Sequence, residues 1–136
     1  ATRARLNVRM MPYKQAARYI LTSLKDNEFV GMFIDLGVKY DHRMVTVTFF
    51  GRPTHFPAAP ALLAMRTGAP ILPGFARVRE DGSVEAVALP AIYPDQREDK
   101  EQQIQTITQR LADLMEEFIR QYPDQWYIFR RVWNDT

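Results

Sequence analysis

His42 and His55 are the two histidines of this chain and the first residues to test for chemistry. They stand thirteen positions apart, and neither has a carboxylate at helical spacing, so a multi-histidine metal centre is not expected. Cysteine is absent, which excludes a disulfide framework, a thiolate metal site and a cysteine nucleophile. The two serines, Ser23 and Ser83, fall on a predicted helix and in a predicted hairpin turn, and no G-x-S-x-G elbow surrounds either. The six glycines are scattered singly, so no Gly-rich phosphate loop is present. One block has the right residue types for binding: Phe49-Phe50-Gly51-Arg52-Pro53-Thr54, followed by a helix of small residues. It reads in two ways. A strand-end Gly-Arg-x-Thr beside a helix N-terminus is an anion cradle, in which backbone amides and the helix dipole favour a phosphate or oxyanion. The same block also suits an ordinary strand-turn-helix with a solvent-facing arginine.

These residues need elements to position them. Tyr13, Ala16, Ala17, Ile20, Leu21 and Leu24 recur at helical spacing after Pro12, predicting an amphipathic helix over 12–26. Phe29 to Ile34 is a short apolar run that suits a buried strand, with Asp35 at its C-terminal end. Met44 to Phe50, rich in β-branched and aromatic residues, predicts a second strand that Gly51-Arg52-Pro53 stops. A helix follows over 61–67, with prolines before it and Gly68 as its C-terminal cap. Ile71 to Val78 reads as a strand in which Pro73 and Gly74 suggest an edge or bulge. A turn at 80–83 returns it as a strand over 84–89. Ile104, Ile107, Leu111, Leu114, Phe118 and Tyr122 form the apolar stripe of a long helix over 98–121. The order of elements implies an α/β fold: a mixed, mostly parallel sheet flanked by helices.

The 136 residues amount to one domain, expected to span 1–136, with a composition typical of folded chains. No apolar run reaches the ~18 residues that a membrane-spanning helix requires. The net charge of +2 hides an asymmetry. Residues 1–25 and 43–79 carry eleven basic residues and no acid, whereas 95–117 hold seven acids against three bases. A basic face favours phosphate esters, nucleic acid or anionic headgroups. Pairing with the acidic helix is the alternative.

Three separated blocks carry a resemblance. Phe33-Ile34-Asp35, then Val45 to Thr54, then Ala61 to Pro73 resemble the bacterial lipid A biosynthesis acyltransferases, part of the wider lysophospholipid acyltransferase superfamily. The ending Tyr122-Pro123-Asp124-Gln125-Trp126-Tyr127, with Arg130-Arg131-Val132-Trp133, is similar to that family's closing P-E-Q-x-x-W and R-R-x-W motifs. The resemblance covers about Leu6 to Trp133. It implies a partial glycerol-phosphate-acyltransferase-like fold and transfer of an acyl chain from a carrier thioester (acyl carrier protein or CoA, with no cofactor) to a hydroxyl of a glycolipid or lipid A-type acceptor. The family's H-x-x-x-x-D/E motif, whose histidine is a general base, is not in this sequence: Val47 stands where His42 would need its acid, and Pro60 where His55 would. The resemblance therefore implies the C-terminal half of such an enzyme, without the catalytic N-terminal part and not competent alone.

On the matching motifs, Asp35, Gly51, Arg52, Thr54 and Pro73 are implied to line the acceptor cleft, with Asp35, Arg52 and Pro73 meeting at strand ends. Arg9 matches a basic residue that engages acceptor phosphate. Arg130 and Arg131 match the closing pair, whose alternative role is a buried ion pair to Asp35 or the acidic helix. No residue here is assigned a catalytic or metal-binding role. Expected partners are the lipid acceptor, the thioester donor and a membrane surface, at the cytoplasmic face of the inner membrane, with a homodimer as a further possibility and no nucleic acid. Trp126, Tyr127, Phe129 and Trp133 serve either as core or as membrane anchors. A non-catalytic anion- or membrane-binding domain is the competing function.

Overall fold

In a computed structural model of the chain, the described residues are 3–10, 16–35, 43–129 and 131–133. They divide into two compact units, 1–31 and 32–136.

The first unit holds a 3-10 turn, Arg3–Leu6, and helix α1, Ala16–Lys25. Residues 11–15, which include Pro12 and Tyr13 of the predicted helix, lie outside the described residues. Helix α1 ends where Asn27 enters the left-handed region (φ 57°), a conformation asparagine tolerates better than most residues. Ser23, on the buried side of α1, accepts from the Arg9 guanidinium (3.3 Å), which also pairs with Glu28.

In the second unit Val45, Val47 and Phe49 point inward and Met44, Thr46 and Thr48 outward, the two-residue period of a half-buried strand, β1 (Met44–Phe49). Strand β2 (Arg52–Pro57) returns antiparallel, pairing Phe49 with Arg52 and Met44 with Pro57. The sequence predicts no strand here, because Pro53 and Pro57 read as breakers. In a two-stranded sheet each strand has a free edge, where a missing N–H breaks no ladder bond. Phe50 (φ 51°) and Gly51 (φ 71°) form the two-residue connection. Two successive positive φ values give the primed turn whose twist matches that of the strands.

Helix α2 (Ala59–Thr67) begins with Pro60 in its first turn and ends at Gly68, which at φ 75° donates to Ala64 O. Strands β3 (Gly74–Val78) and β4 (Val84–Ala88) form a second antiparallel hairpin. Asp81 closes its turn by accepting from both the backbone N–H and the hydroxyl of Ser83. Helix α3 (Lys100–Gln121) starts at Asp99, whose carboxylate accepts from Gln102 N (2.8 Å). Ile104, Ile107, Leu111, Leu114, Met115 and Ile119 of α3 are buried; most of them join Val45, Val47, Phe49, Phe56, Ala58 and Ala61 in one core.

The α/β class holds, but the mostly parallel sheet does not: both sheets are two-stranded and antiparallel. Each strand is joined to its neighbour by a short turn, which permits only antiparallel pairing. Nor is there a strand over 29–34. Phe29 and Phe33 are exposed there, so this run is not the buried strand that its apolarity suggests.

The unpaired edge of β1 is covered by side chains of α3. Gln105 donates to Thr46 O (2.8 Å), Gln109 bonds both Thr48 N (2.9 Å) and Thr48 O (2.8 Å), and Glu116 accepts from Phe50 N (2.6 Å). The geometry allows this because residues 105–116 rise about 16 Å along a helix, while residues 46–50 span about 14 Å of strand. A polar stripe on α3 thus satisfies backbone groups that would otherwise template further pairing.

Candidate functional site

The Phe50–Gly51 turn carries the Gly-Arg-x-Thr block at the meeting point of three chain segments. From one side comes α3, through Glu116. From another comes the closing segment: Trp133 Nε1 donates to Phe49 O (3.0 Å), and the Thr54 hydroxyl donates to Val132 O. Phe49, fully buried, is ringed by Phe50, Phe56, Trp126 and Trp133, with centroids 4.7–5.9 Å away. Arg52 stands exposed on this platform, its guanidinium 5.7 Å from the Trp133 ring centre. A cation above an indole face is attracted by the ring's quadrupole, which favours one orientation of a long side chain.

Phe50 is the unusual member. Outside glycine, positive φ is uncommon, and for a bulky residue it stores roughly 1–3 kcal/mol of strain. Its amide is held by Glu116, and the Arg120 guanidinium lies 4.8 Å from its ring while also bonding Glu116 (2.7 Å). The Phe50 N–H, and after it Arg120, hold the Glu116 carboxyl below the usual glutamate range. A carboxyl that titrates below its unfolded value, about 4.3, stabilises the fold fully above that pH and loses this contribution as pH falls further. The stability gap between the native chain and Glu116→Gln should therefore be present at pH 7 and close on acidification below about pH 4. Denaturant midpoints across pH measure it; a gap that ignores pH would refute the assignment.

The remaining candidates fall on several chain segments. Gly51, Arg52 and Thr54 share the first hairpin, exposed, exposed and buried in turn. Arg131 is exposed and adjoins Val132, and Arg130 lies outside the described residues. Pro73 is buried just before β3, where its carbonyl accepts from Leu89 N (2.9 Å). Asp35 is half-buried in a segment without regular structure. The single sheet whose strand ends were to gather Asp35, Arg52 and Pro73 is not formed. Arg9 belongs to the first unit, in its pair with Glu28. His42 lies outside the described residues, and exposed His55 faces Thr46 across the ladder, 3.3 Å from its hydroxyl. Sequence reading missed Glu116 and Arg120. Their i, i+4 spacing was visible, but it reads as a routine surface pair.

The platform therefore joins the sequence block 49–54 to the closing block 126–133, two motifs about eighty residues apart. Residues 1–135 match, as a whole, the family described as bacterial lipid A biosynthesis acyltransferase. The chain belongs to that family. Its curated relatives include a phosphatidylinositol mannoside acyltransferase of Mycolicibacterium smegmatis, 36% identical over 89 residues, which are 65% of this chain and 27% of the relative. One from Mycobacterium tuberculosis is 35% identical over 91 residues, 65% of this chain and 26% of the relative. The match thus spans about a quarter of these acyltransferases' length. Within the acyltransferase-family chain, no described helix is long and apolar enough to cross a membrane. Among the described residues no group of three or more His, Asp or Glu could hold a metal ion.

Proposed function

We propose that this chain supplies the acceptor-binding side of a lipid acyltransferase. The reaction joins the acceptor's hydroxyl oxygen to the acyl carbon of a carrier thioester. The C–S bond breaks, and the hydroxyl proton ends on the departing thiol. The acceptor is a glycolipid with a phosphate near the reacting sugar, the class to which phosphatidylinositol mannosides and lipid A precursors both belong. Proton abstraction is assigned to no residue described here.

The observation that carries this reading is the exposed Arg52 on a platform built from both family motifs. An arginine pairs with phosphate through two parallel N–H bonds, which fixes direction as well as affinity. The first unit supports a peripheral place at the cytoplasmic face of the inner membrane: Leu6, Val8, Met10 and Phe29 are exposed in it, as are Arg5 and Arg18. Apolar side chains and cations together suit an anionic lipid surface.

The test is acyl transfer by the enzyme as expressed from its gene, with an acyl-CoA donor and phosphatidylinositol mannoside or a lipid A precursor as acceptor. Arg52→Ala should raise the acceptor KM at least about ten-fold, the scale of a lost charge-assisted hydrogen bond. Arg66→Ala, at the exposed end of α2, should change nothing. Native-like kinetics of Arg52→Ala, or no transfer to either acceptor, would overturn the reading.

A further inference from the structure

A turn with two positive φ values normally takes Asn-Gly or Asp-Gly, which hold it without help. This chain has Phe50-Gly51, and a bulky residue at φ 51° persists only where its surroundings over-determine it. Those surroundings come from α3, whose Glu116 divides its two carboxylate oxygens between separate partners. Oε2 accepts from Phe50 N (2.6 Å), while Oε1 accepts from Arg120 Nε (2.9 Å) and Nη2 (2.7 Å). Arg120 in turn covers the Phe50 ring, whose own plane lies edge-on to Phe49 and Trp133. Arg52 follows the turn directly and pairs with Phe49 across the ladder. The backbone direction at Arg52 is therefore set by the geometry at Phe50 and Gly51.

We propose that Glu116 and Arg120 are positioning residues for the acceptor. They clamp the Phe50–Gly51 turn in its positive-φ form and so aim Arg52 at the acceptor's phosphate. This rests on the acceptor-site reading above. Neither residue touches the acceptor; each acts through Phe50. An ordinary surface ion pair on a helix would influence stability slightly and binding not at all. A clamp changes where a cation stands, and a misplacement of about 1 Å is enough to weaken a directional contact strongly.

The same acyl-transfer assay tests it, with an acyl-CoA donor and phosphatidylinositol mannoside as acceptor. Glu116→Ala should raise the acceptor KM about 5- to 20-fold with kcat within about two-fold, the pattern of lost binding rather than lost chemistry. Glu116→Gln keeps an acceptor oxygen for the Phe50 amide and should stay within about three-fold of the native KM. The decisive comparison uses Phe50→Asn, which tolerates positive φ without a clamp. In that background Glu116→Ala should raise KM less than about two-fold, because coupled residues give non-additive effects. Equal KM effects in both backgrounds, or a fall in kcat with KM unchanged, would overturn the clamp. Should Glu116→Ala alone fail to fold, the Phe50→Asn/Glu116→Ala pair is compared with Phe50→Asn, and a large KM difference there overturns it equally. Failure of the acceptor-site reading is distinct: it shows as native kinetics for Arg52→Ala.

Discussion

Replacing Phe49 with alanine is expected to destabilise the chain by about 3–5 kcal/mol, the range for a fully buried phenylalanine. Its side chain has no solvent exposure and meets four aromatic rings, so truncation leaves a cavity lined by large rigid groups that cannot collapse into it. Domains are stable by only about 5–15 kcal/mol, so the variant should lose a large fraction of its stability. At this chain length that means a Tm lower by roughly 10–20 °C. Phe129→Ala is the control: the same residue type, 96% exposed, is expected to shift stability by no more than about 0.5 kcal/mol. Denaturant titration followed by circular dichroism reads both. A loss below about 1 kcal/mol for Phe49→Ala would mean that this ring cluster is not the centre of the core.

The second large effect is expected at Trp133, where burial and a hydrogen bond act together. Its ring stacks on Phe49 at 5.8 Å, and its N–H is satisfied by Phe49 O. Trp133→Ala should cost about 3 kcal/mol or more, and should free the closing segment for proteolysis. Trp133→Phe keeps a ring but loses this hydrogen bond, costing about 1 kcal/mol. Trp126 provides the contrast. Its Nε1 is buried with no hydrogen-bond partner among the described residues, so Trp126→Phe removes an unpaired donor and should be nearly neutral. Identical losses for the two Trp→Phe variants would show that the Trp133–Phe49 bond does not tie the closing segment to the hairpin.

The two tryptophans also settle part of the choice between core and membrane anchor. Trp126 and Trp133 pack on the core, while Tyr127 and Phe129 are exposed at 77% and 96%. Over 126–129 exposure alternates, with Trp126 and Ile128 half-buried and Tyr127 and Phe129 exposed, as successive side chains of an extended segment point to opposite sides. Trp133 is held inward by its own bond to Phe49 O. Composition alone gives four aromatics in a row of eight residues and cannot assign them to sides.

Periodicity over a few turns was enough to read α3, because its apolar stripe and the Pro123 beyond its end are local; the structure starts the helix at Lys100, behind the Asp99 cap, rather than at 98. The same holds for the Gly68 cap and the turn at 81–83, where single residues meet a backbone demand that few others can. The family motifs were legible for a related reason: residue types at short spacing survive as a pattern even when their partners are distant. What the chain could not disclose locally was pairing. Strand β2 exists because β1 holds it and a free edge tolerates its prolines. Glu116 meets Phe50 across 66 positions, and Trp133 meets Phe49 across 84. A polar residue on a helix looks the same whether it faces water or an unpaired strand edge, and only the packed fold brings that edge alongside. Local sequence fixes the faces of each element; burial of the common core decides which faces meet, because apolar contact is non-directional and rewards whichever closure removes the most surface from water.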